Sequence, residues 1–488
     1  MKIGEKAGKR PMLVMKFGGT SVGDAQCFAK VEEIIARTLR ERSPVVVVVS
    51  AMSTVTESLL AAARLAATGD EKAVREKLEY LERKHLQVVE ELFAGPRRDD
   101  VRKAVKEILG EFQKLCAGMA LLYELPVRAM DAGLSVGERL SATLLASYLT
   151  EQGVSARAVD AAQCVVTDSN FGSARPLLDA TREKMRQVVS PLYESGCVPI
   201  ITGFLGATRE GIRTTLGRGA SDYSAAIVAA SLDADELWIW TDVDGVLSAD
   251  PKVVGEALIL EELTYEEAAE LSHFGAKVLH RETLAPLAAN TIPVYIKNTF
   301  APHKPGTRIG RVHAGSLLGP KAASSLAPVA MLTLRSSGTP ETTELLARTF
   351  EALAHAHAEI LMVTQASYQN SFCLLVPHAA TQAARAALER AFRLELSHQY
   401  LQPIETEDVA AVALIGEGMR GMPGIAGRLF GALGRAKINV IAIAQGSSES
   451  NISLVVALPD GPAAVKAIHQ EFIAPAIASR RQETKTLP

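Results

Sequence analysis

Nowhere does the chain carry an apolar run near the ~18 residues that a membrane-spanning helix needs, so no membrane partner is expected. It also lacks any C-x-x-C pair. Its five cysteines, Cys27, Cys116, Cys164, Cys197 and Cys373, are dispersed. An odd, scattered set argues against a disulfide framework or a zinc cage and suits a reducing compartment. The opening MKIGEKAGKR has no apolar centre of the kind a secretory leader needs, so the expected location is cytoplasmic. Excess charge is absent too. A formal net charge of −3 leaves no bulk attraction to nucleic acid or anionic lipid. What is present is 48% apolar and 22% charged, the balance of a globular protein. At 488 residues there is room for roughly three domains.

To about residue 320 the pattern alternates short apolar runs with helical stretches. MLVMKF (12–17), VVVVVS (45–50), CVPIITGF (197–204), ELWIWTDV (236–243) and IPVYIKN (292–298) are the expected strands, and 24–41 has helical spacing. Strand, helix, strand in this order implies an α/β fold with a mainly parallel sheet buried on both faces. Residues 56–125 are rich in Leu, Glu, Lys and Ala, broken at Gly95-Pro96, and suggest a helical hairpin inserted into that core, with its charges on a solvated face. The tail repeats itself. LARTFEALAHAHAEILMVTQASYQNSFCLLV (346–376) aligns without gaps on AGRLFGALGRAKINVIAIAQGSSESNISLVV (426–456), at an offset of 80. The offset pairs Phe350 with Phe430, Leu353 with Leu433, Gln365 with Gln445 and Phe392 with Phe472. Each copy is expected to run strand, helix, strand, strand, helix, with a linker near Ser324–Pro328.

Five stretches carry candidate chemistry. VMKFGGTSVG (14–23) puts Lys16 before Gly18 and Gly19, whereas in G-x-x-x-x-G-K-[ST] the lysine follows the glycines. A glycine turn before a helix can hold phosphate oxygens on its N–H groups, with Lys16 adding a point charge. A plain turn capped by Thr20 or Ser21 explains the same residues. TTLGRGASDYSAA (214–226) sets Arg218 between glycines, where its fork suits a carboxylate or phosphate; Ser221 or Asp222 can also simply cap the following helix. WTDVDGVLSADP (240–251) brings Asp242, Asp244 and Asp250 just after a strand, where open α/β sheets hold ligands, though an Asp-Gly turn accounts for it equally. In HFGAKVLH (273–280) the two histidines lack a carboxylate at ligand spacing, so packing is expected and no residue is assigned to a metal. Lys277 there sits among apolar residues, a setting in which lysines more often snorkel than catalyse. In GLSVGERLSATLLASYL (133–149), Glu138 either complements a helix N-terminus or faces a ligand amine.

Taken in order, KFGGTSVG (16–23), SVGERLSA (135–142), TTLGRGASDYSA (214–225), WTDVDGVLSADP (240–251), FGAKVLH (274–280) and KNTF (297–300) resemble the motif series of aspartate kinases, over nearly the whole chain. The tail resembles that family's paired ACT domains, and AIAQGSSESNIS (442–453) is most similar to the ACT module of fused aspartate kinase–homoserine dehydrogenases. The chain has no G-x-G-x-x-G unit after HQEF (469–472), so no dehydrogenase activity is expected. The resemblance implies the amino-acid kinase fold, an αβα sandwich, over 11–323, with the helical insertion at about 56–130. Two ferredoxin-like ACT domains over 326–407 and 408–488 would follow.

It also implies a reaction. ATP, with Mg²⁺, would phosphorylate the β-carboxylate of L-aspartate to 4-phospho-L-aspartate, opening the route to lysine, threonine and methionine. Lys16 would face the γ-phosphate, with Gly18, Gly19 and Ser21 lining the phosphate loop. Asp222 would orient Lys16 and the metal shell. Arg218 would clamp a substrate carboxylate and Glu138 the substrate ammonium, with Ser50, Thr56 and Ser221 near the substrate. Thr241, Asp242 and Lys277 match nucleotide contacts. Gln365, Gln445 and Asn451 match effector contacts, with threonine the first expected inhibitor and lysine the second. A homodimer is implied, with a tetramer as the alternative. The chain departs from the family pattern at Glu57, Ala220, Leu247 and Arg281. Glu57 would repel aspartate if it pointed inward, and the Ala220 methyl limits positive φ. The rival readings are a kinase for another amino-acid carboxylate and an amino-acid sensor with an impaired kinase domain; retention of Lys16, Arg218 and Asp222 speaks against the sensor.

Overall fold

The computed structural model describes residues 11–217, 219–275, 279, 281–311, 319–337, 341–365 and 371–475. They form two compact units. One comprises the chain to Val246 with Glu261–Tyr265 and Val278–Val312; the other comprises Leu247–Leu260, Glu266–Lys277 and the chain from His313.

The first unit is built on an eight-stranded sheet of order β3-β4-β2-β1-β7-β9-β10-β8. Its strands are β1 (Leu13–Phe17), β2 (Val45–Val49), β3 (Ala156–Val159), β4 (Val198–Thr202), β7 (Glu236–Thr241), β8 (Glu262–Leu263), β9 (Val294–Asn298) and β10 (Thr307–Ile309). From β3 to β9 every pairing is parallel; only β10 against β9 is antiparallel. The five expected strands are therefore all present. A short antiparallel hairpin, β5 (Leu205–Ala207) and β6 (Arg213–Thr215), leaves the end of β4. Every residue of LVMKF in β1 and VVVVV in β2 is buried, as strands covered on both faces require. Helix α1 (Ala25–Glu41) and the helical insertion cover one face. Helix α8 (Ser221–Ser231) packs across β1, β2 and β7, and its alanine-rich sequence permits close approach.

The insertion consists of α2 (Val55–Ala67), α3 (Glu71–Leu92), α4 (Gly95–Leu122) and α5 (Val127–Glu151). The expected hairpin is α3–α4, and it reverses at Gly95-Pro96; α2 is an additional helix that the sequence pattern merged with it. The stripe Val101, Val105, Leu109, Phe112, Cys116 and Met119 of α4 is buried, at the spacing of one helical face. His85 joins this core as a neutral ring: burial pushes its pKa down to about 4, and its Nδ1 lies 2.6 Å from the Leu81 carbonyl oxygen. The short helices α6 (Leu178–Val188), α7 (Ser190–Glu194) and α10 (Leu284–Asn290) complete this unit. Helix α9 (Tyr265–His273) begins in it and continues into the other.

The second unit holds a six-stranded antiparallel sheet of order β12-β13-β11-β14-β16-β15. The first copy of the repeat gives β11 (Ala322–Arg335), α11 (Thr342–His355), β12 (Met362–Gln365), β13 (Ser371–Pro377), α12 (Thr381–Ala391) and α13 (Arg393–Ser397). The second gives β14 (Glu405–Ile415), α14 (Ile425–Arg435), β15 (Ala442–Ala444), β16 (Asn451–Ala457) and α15 (Gly461–Phe472). Both follow the expected strand and helix order. The segment expected as a linker, Ser324–Pro328, is instead part of β11, where Ser324 pairs with Ala413. Pro328 is tolerated there because the ladder shifts register between Leu326 and Val329. The copies also share a packing device. Arg348 lies over the Phe392 ring at 4.6 Å and Arg428 over Phe472 at 4.5 Å, and each donates to the carbonyl of the residue before that phenylalanine.

Two stretches that the sequence pattern placed in the first part, 247–260 and 266–277, pack with this tail. Ser248 explains the first: its Oγ lies 2.9 Å from Nε2 of buried His469, and its carbonyl accepts from Ala323. Glu267 of α9 explains the second, through an ion pair with Lys321 at 2.7 Å and a bond from the Glu417 N–H. Among the described residues no helix is long and apolar enough to cross a membrane. Phe112→Ala should destabilise the chain by about 3–5 kcal/mol in urea unfolding; a loss below about 1 kcal/mol would place Phe112 outside the insertion's core.

Candidate active site

Parallel pairing brings the carboxyl ends of the central strands level. Phe17 of β1 lies opposite Val49 of β2 and Trp240 of β7, and Thr241 of β7 lies opposite Asn298 of β9. The loops leaving these ends carry most of the candidate residues, as the crevice rule for α/β sheets leads one to expect.

Lys16 is the one charged residue of β1. Strand alternation turns it away from Met15 and Phe17 and toward α8, where its Nζ is 2.5 Å from Oδ1 of Asp222. Their side chains are only 10% and 15% exposed, so each depends on the other for compensation. Asp222 lies in the first turn of α8, a position the helix dipole favours for an anion. Gly18 lies beside this pair, and a methyl there would make an ordinary contact with Lys16 Nζ at 3.5 Å. Gly19 permits close approach of two loops: a methyl would lie 2.9 Å from the Ala51 carbonyl oxygen. Ser53 seals the same approach by donating from Oγ to the Gly19 carbonyl at 2.8 Å.

Ser21 is placed differently from expectation. Its hydroxyl is buried 2.7 Å from Thr299 Oγ1 and 3.3 Å from the Trp240 carbonyl oxygen, and its N–H donates to Gly18. Its polar atoms therefore join the ends of β7 and β9 and are not offered to a ligand. Neither Thr20 nor Ser21 caps α1; Asp24 does, accepting from the Cys27 N–H at 2.9 Å.

Glu138 reaches the loop after β2. It lies in the middle of α5, not at its start, so the helix-terminus role is excluded. Its Oε1 accepts from the Ala51 N–H at 3.3 Å, while Oε2 is buried without a hydrogen-bond partner. Burial pushes its pKa up to about 8. The Ala51 bond ties Glu138 to the loop after β2, which also carries Ser50, whose N–H donates to Phe17. Thr56 is in the first turn of α2. Ser221 opens α8 against Gly203, where a methyl would lie 3.1 Å from the Ser221 Cβ.

Two departures from the family pattern fit the local backbone. Ala220 has φ −77°, and the left-handed positions beside it are taken by Gly217 (φ +93°) and Gly219 (φ +74°). Glu57 is exposed in the first turn of α2, where its charge suits the helix dipole.

Thr241 and Asp242 stand at the end of β7, with Thr241 Oγ1 donating to Asp242 at 3.1 Å. The next aspartate, Asp244, is fixed by Lys304 at 2.5 Å and Asn298 at 2.7 Å; Lys304, then Asn298, hold its carboxyl below the usual range. Sequence reading left Asp244 open between ligand and turn, and missed Lys304. Arg218, Lys277 and His280 lie outside the described residues. His273 packs on Phe274, with Nε2 3.2 Å from the Leu361 carbonyl. In the second unit Gln365 ends β12 and Gln445 follows β15, both exposed. Thr364 donates to the Ile443 carbonyl at 3.2 Å, which brings these two strand ends together. Asn451 opens β16 and donates to Glu270 of α9, a partner sequence reading did not foresee.

Comparison with known proteins fits this architecture. Residues 11–298 match the amino acid kinase family, and 332–392 and 412–472 each match an ACT domain. The bifunctional aspartokinase/homoserine dehydrogenase of Haemophilus influenzae is 34% identical over 94% of this chain and 56% of its own length. The chain spans about half the length of the bifunctional relatives it matches. Aspartokinase 1 of Arabidopsis thaliana is 32% identical over 94% of this chain and 80% of its own length. Among solved structures, E. coli aspartokinase III in complex with aspartate and ADP superposes with a TM-score of 0.81, at 29% identity, covering 94% of this chain and 99% of that one. The same enzyme with lysine and aspartate gives 0.75, at 30% identity, covering 95% and 99%. The chain belongs to the amino acid kinase family and, within it, to the aspartokinases.

Proposed function

We propose that the chain transfers the γ-phosphate of ATP to the β-carboxylate of L-aspartate. The observation that carries this is the buried Lys16–Asp222 pair at the end of β1, together with Glu138, whose one carboxylate oxygen is unpartnered and whose other holds the Ala51 N–H of the loop packed against Gly19. A cation for phosphate and an anion for ammonium are the two charges such a substrate pair needs. The attacking carboxylate, with a reference pKa of about 3.9, is ionised at neutral pH and needs no general base. Lys16 neutralises charge on the transferred group, and Asp222 holds Lys16 in place. Arg218 clamps a substrate carboxylate through its fork. Ser50, Thr56 and Ser221 line the acceptor side; Thr241, Asp242 and Lys277 serve the nucleotide. Among the described residues no three metal-ligating side chains cluster. That suits Mg²⁺ carried mainly by phosphate oxygens and water, with Asp222 the carboxylate at hand, where it would offset phosphate charge.

The ACT pair makes this an allosteric enzyme, with the amino-acid effector at the strand ends of Gln365, Gln445 and Asn451. Threonine is the first expected inhibitor; lysine, bound by the E. coli neighbour, is the second. A homodimer is the expected assembly, with a tetramer as the alternative. The test is ATP- and Mg²⁺-dependent formation of aspartyl hydroxamate, with threonine or lysine added separately. Product suppressed by threonine is the expected result, and no product from folded protein would overturn the reading. Asp222→Asn should lower kcat by roughly 10²-fold or more with much less change in aspartate KM; equal losses would remove its role toward Lys16.

Glu138 predicts a pH signature. Its folded pKa of about 8 lies above its ordinary 4.5, so the folded chain holds the extra proton between these values. Its contribution to stability therefore falls as pH rises through that window and levels off above it. Glu138→Gln should gain Tm relative to the parent from pH 5 to pH 8. Pairing with an ammonium requires the ionised form, so aspartate KM should fall as pH rises toward 8 in the parent and stay flat in the variant. Parallel pH profiles would separate Glu138 from the ammonium.

A further inference from the structure

Helix α5 carries a second buried carboxylate, two turns before Glu138 and on the same face. Asp131 is fully buried. Burial raises its pKa, and the groups opposing that rise are hydrogen-bond donors, not cations. Its Oδ2 accepts from the N–H of Gly172 at 2.9 Å and from the N–H of Thr215 at 3.1 Å; its Oδ1 accepts from the Thr215 hydroxyl at 2.7 Å. An uncompensated buried carboxylate is costly, and packing alone would be better served by an apolar residue. Asp131 instead spends both oxygens on two backbone segments that are distant in sequence.

These segments meet at one place. The turn at Gly172 (φ +85°) and the last residue of β6 are already joined by the bond from the Ala174 N–H to the Thr215 carbonyl at 2.9 Å. Beyond β6 the chain continues through Leu216, whose N–H donates to the Phe204 carbonyl, to Gly217. A methyl on Gly217 would lie 3.6 Å from Ser173 Oγ and 4.0 Å from the Gly172 carbonyl oxygen. The 172–173 turn thus backs the start of the substrate loop.

We propose that Asp131 is a positioning residue for the acceptor site: it ties β6 and the 172–173 turn to the helix that carries Glu138, so that the two sides of the substrate pocket keep a fixed separation. The stretch so placed leads into Arg218, and this role rests on the reading of the pocket as the aspartate site. One rigid helix then sets the spacing between Glu138 and the end of β6. A substrate with two carboxylates and an ammonium is selected by that spacing as much as by charge.

The test uses the full chain with Asp131→Ala, Asp131→Asn and Thr215→Val. Asp131→Ala should raise KM for L-aspartate at least tenfold while KM for ATP stays within twofold. Asp131→Asn should recover most of the loss, because its amide keeps an oxygen for the two N–H groups and can donate to the Thr215 hydroxyl. Thr215→Val should show a smaller rise in aspartate KM alone. Hydrogen exchange of peptides spanning 168–177 and 205–217 should quicken in Asp131→Ala and Thr215→Val and stay near parent rates in Asp131→Asn. Unchanged exchange, or aspartate and ATP KM rising together in step with lost Tm, would overturn the proposal. If Asp131→Ala does not fold, an unmoved aspartate KM in Thr215→Val would overturn it. A parent chain inactive on aspartate would refute the kinase reading, while the exchange pattern would still decide whether Asp131 holds these segments.

Discussion

A lysine in a strand buried on both faces is the constraint around which the first unit is arranged. Lys16 cannot reach bulk water from β1, so an anion has to come to it. Asp222 does so from the first turn of α8, 2.5 Å away. That single requirement places the N-terminus of α8 above the end of β1, and with it Ser221. Gly203 is then needed beside Ser221, because a methyl there would lie 3.0 Å from the Val49 carbonyl oxygen and 3.1 Å from the Ser221 Cβ. A group held this way is set before substrate arrives, which is how charge stabilisation costs little reorganisation during reaction.

The opposite wall obeys another logic. Glu138 and Asp131 are two carboxylates on one buried helical face; burial raises the pKa of each, and hydrogen-bond donors oppose the rise. Asp131 has its oxygens filled by donors; Glu138 has one left empty. A satisfied carboxylate stiffens its surroundings, whereas an unsatisfied one is an open valence for a cationic group. Two carboxylates of the same helix thus divide into frame and receptor, and the difference lies in hydrogen bonding.

Much of this was legible in the sequence. Short β-branched runs located the five strands, and the gapless offset of 80 located the duplicated tail. Ordered glycine-, lysine- and aspartate-bearing stretches fell at the ends of β1, β6 and β7. What was not legible depended on contacts remote in sequence. Ser21 looked free because nothing near it in the chain announces Thr299. The Ser324–Pro328 stretch looked like a linker because small residues and a proline usually interrupt strands, yet pairing with β14 and a register shift accommodate them. Glu138 looked like the start of a helix because Gly137 precedes it; the glycine instead allows Ala51 to approach, since a methyl would sit 2.7 Å from the Ala51 Cβ. The Asn451–Glu270 bond joins residues that no local pattern connects.

The long strands β11 and β14 stand side by side at the centre of the tail's sheet, each flanked outward by its own copy's shorter strands. The duplicated modules therefore complete one ladder between them. Deleting either copy would expose a long, largely apolar edge on the survivor, the kind of edge that recruits foreign strands. Evolution can alter the loops of one copy freely, but it can scarcely discard that copy. Lineages of this fold should keep a silent module as a structural spouse long after it has stopped sensing anything.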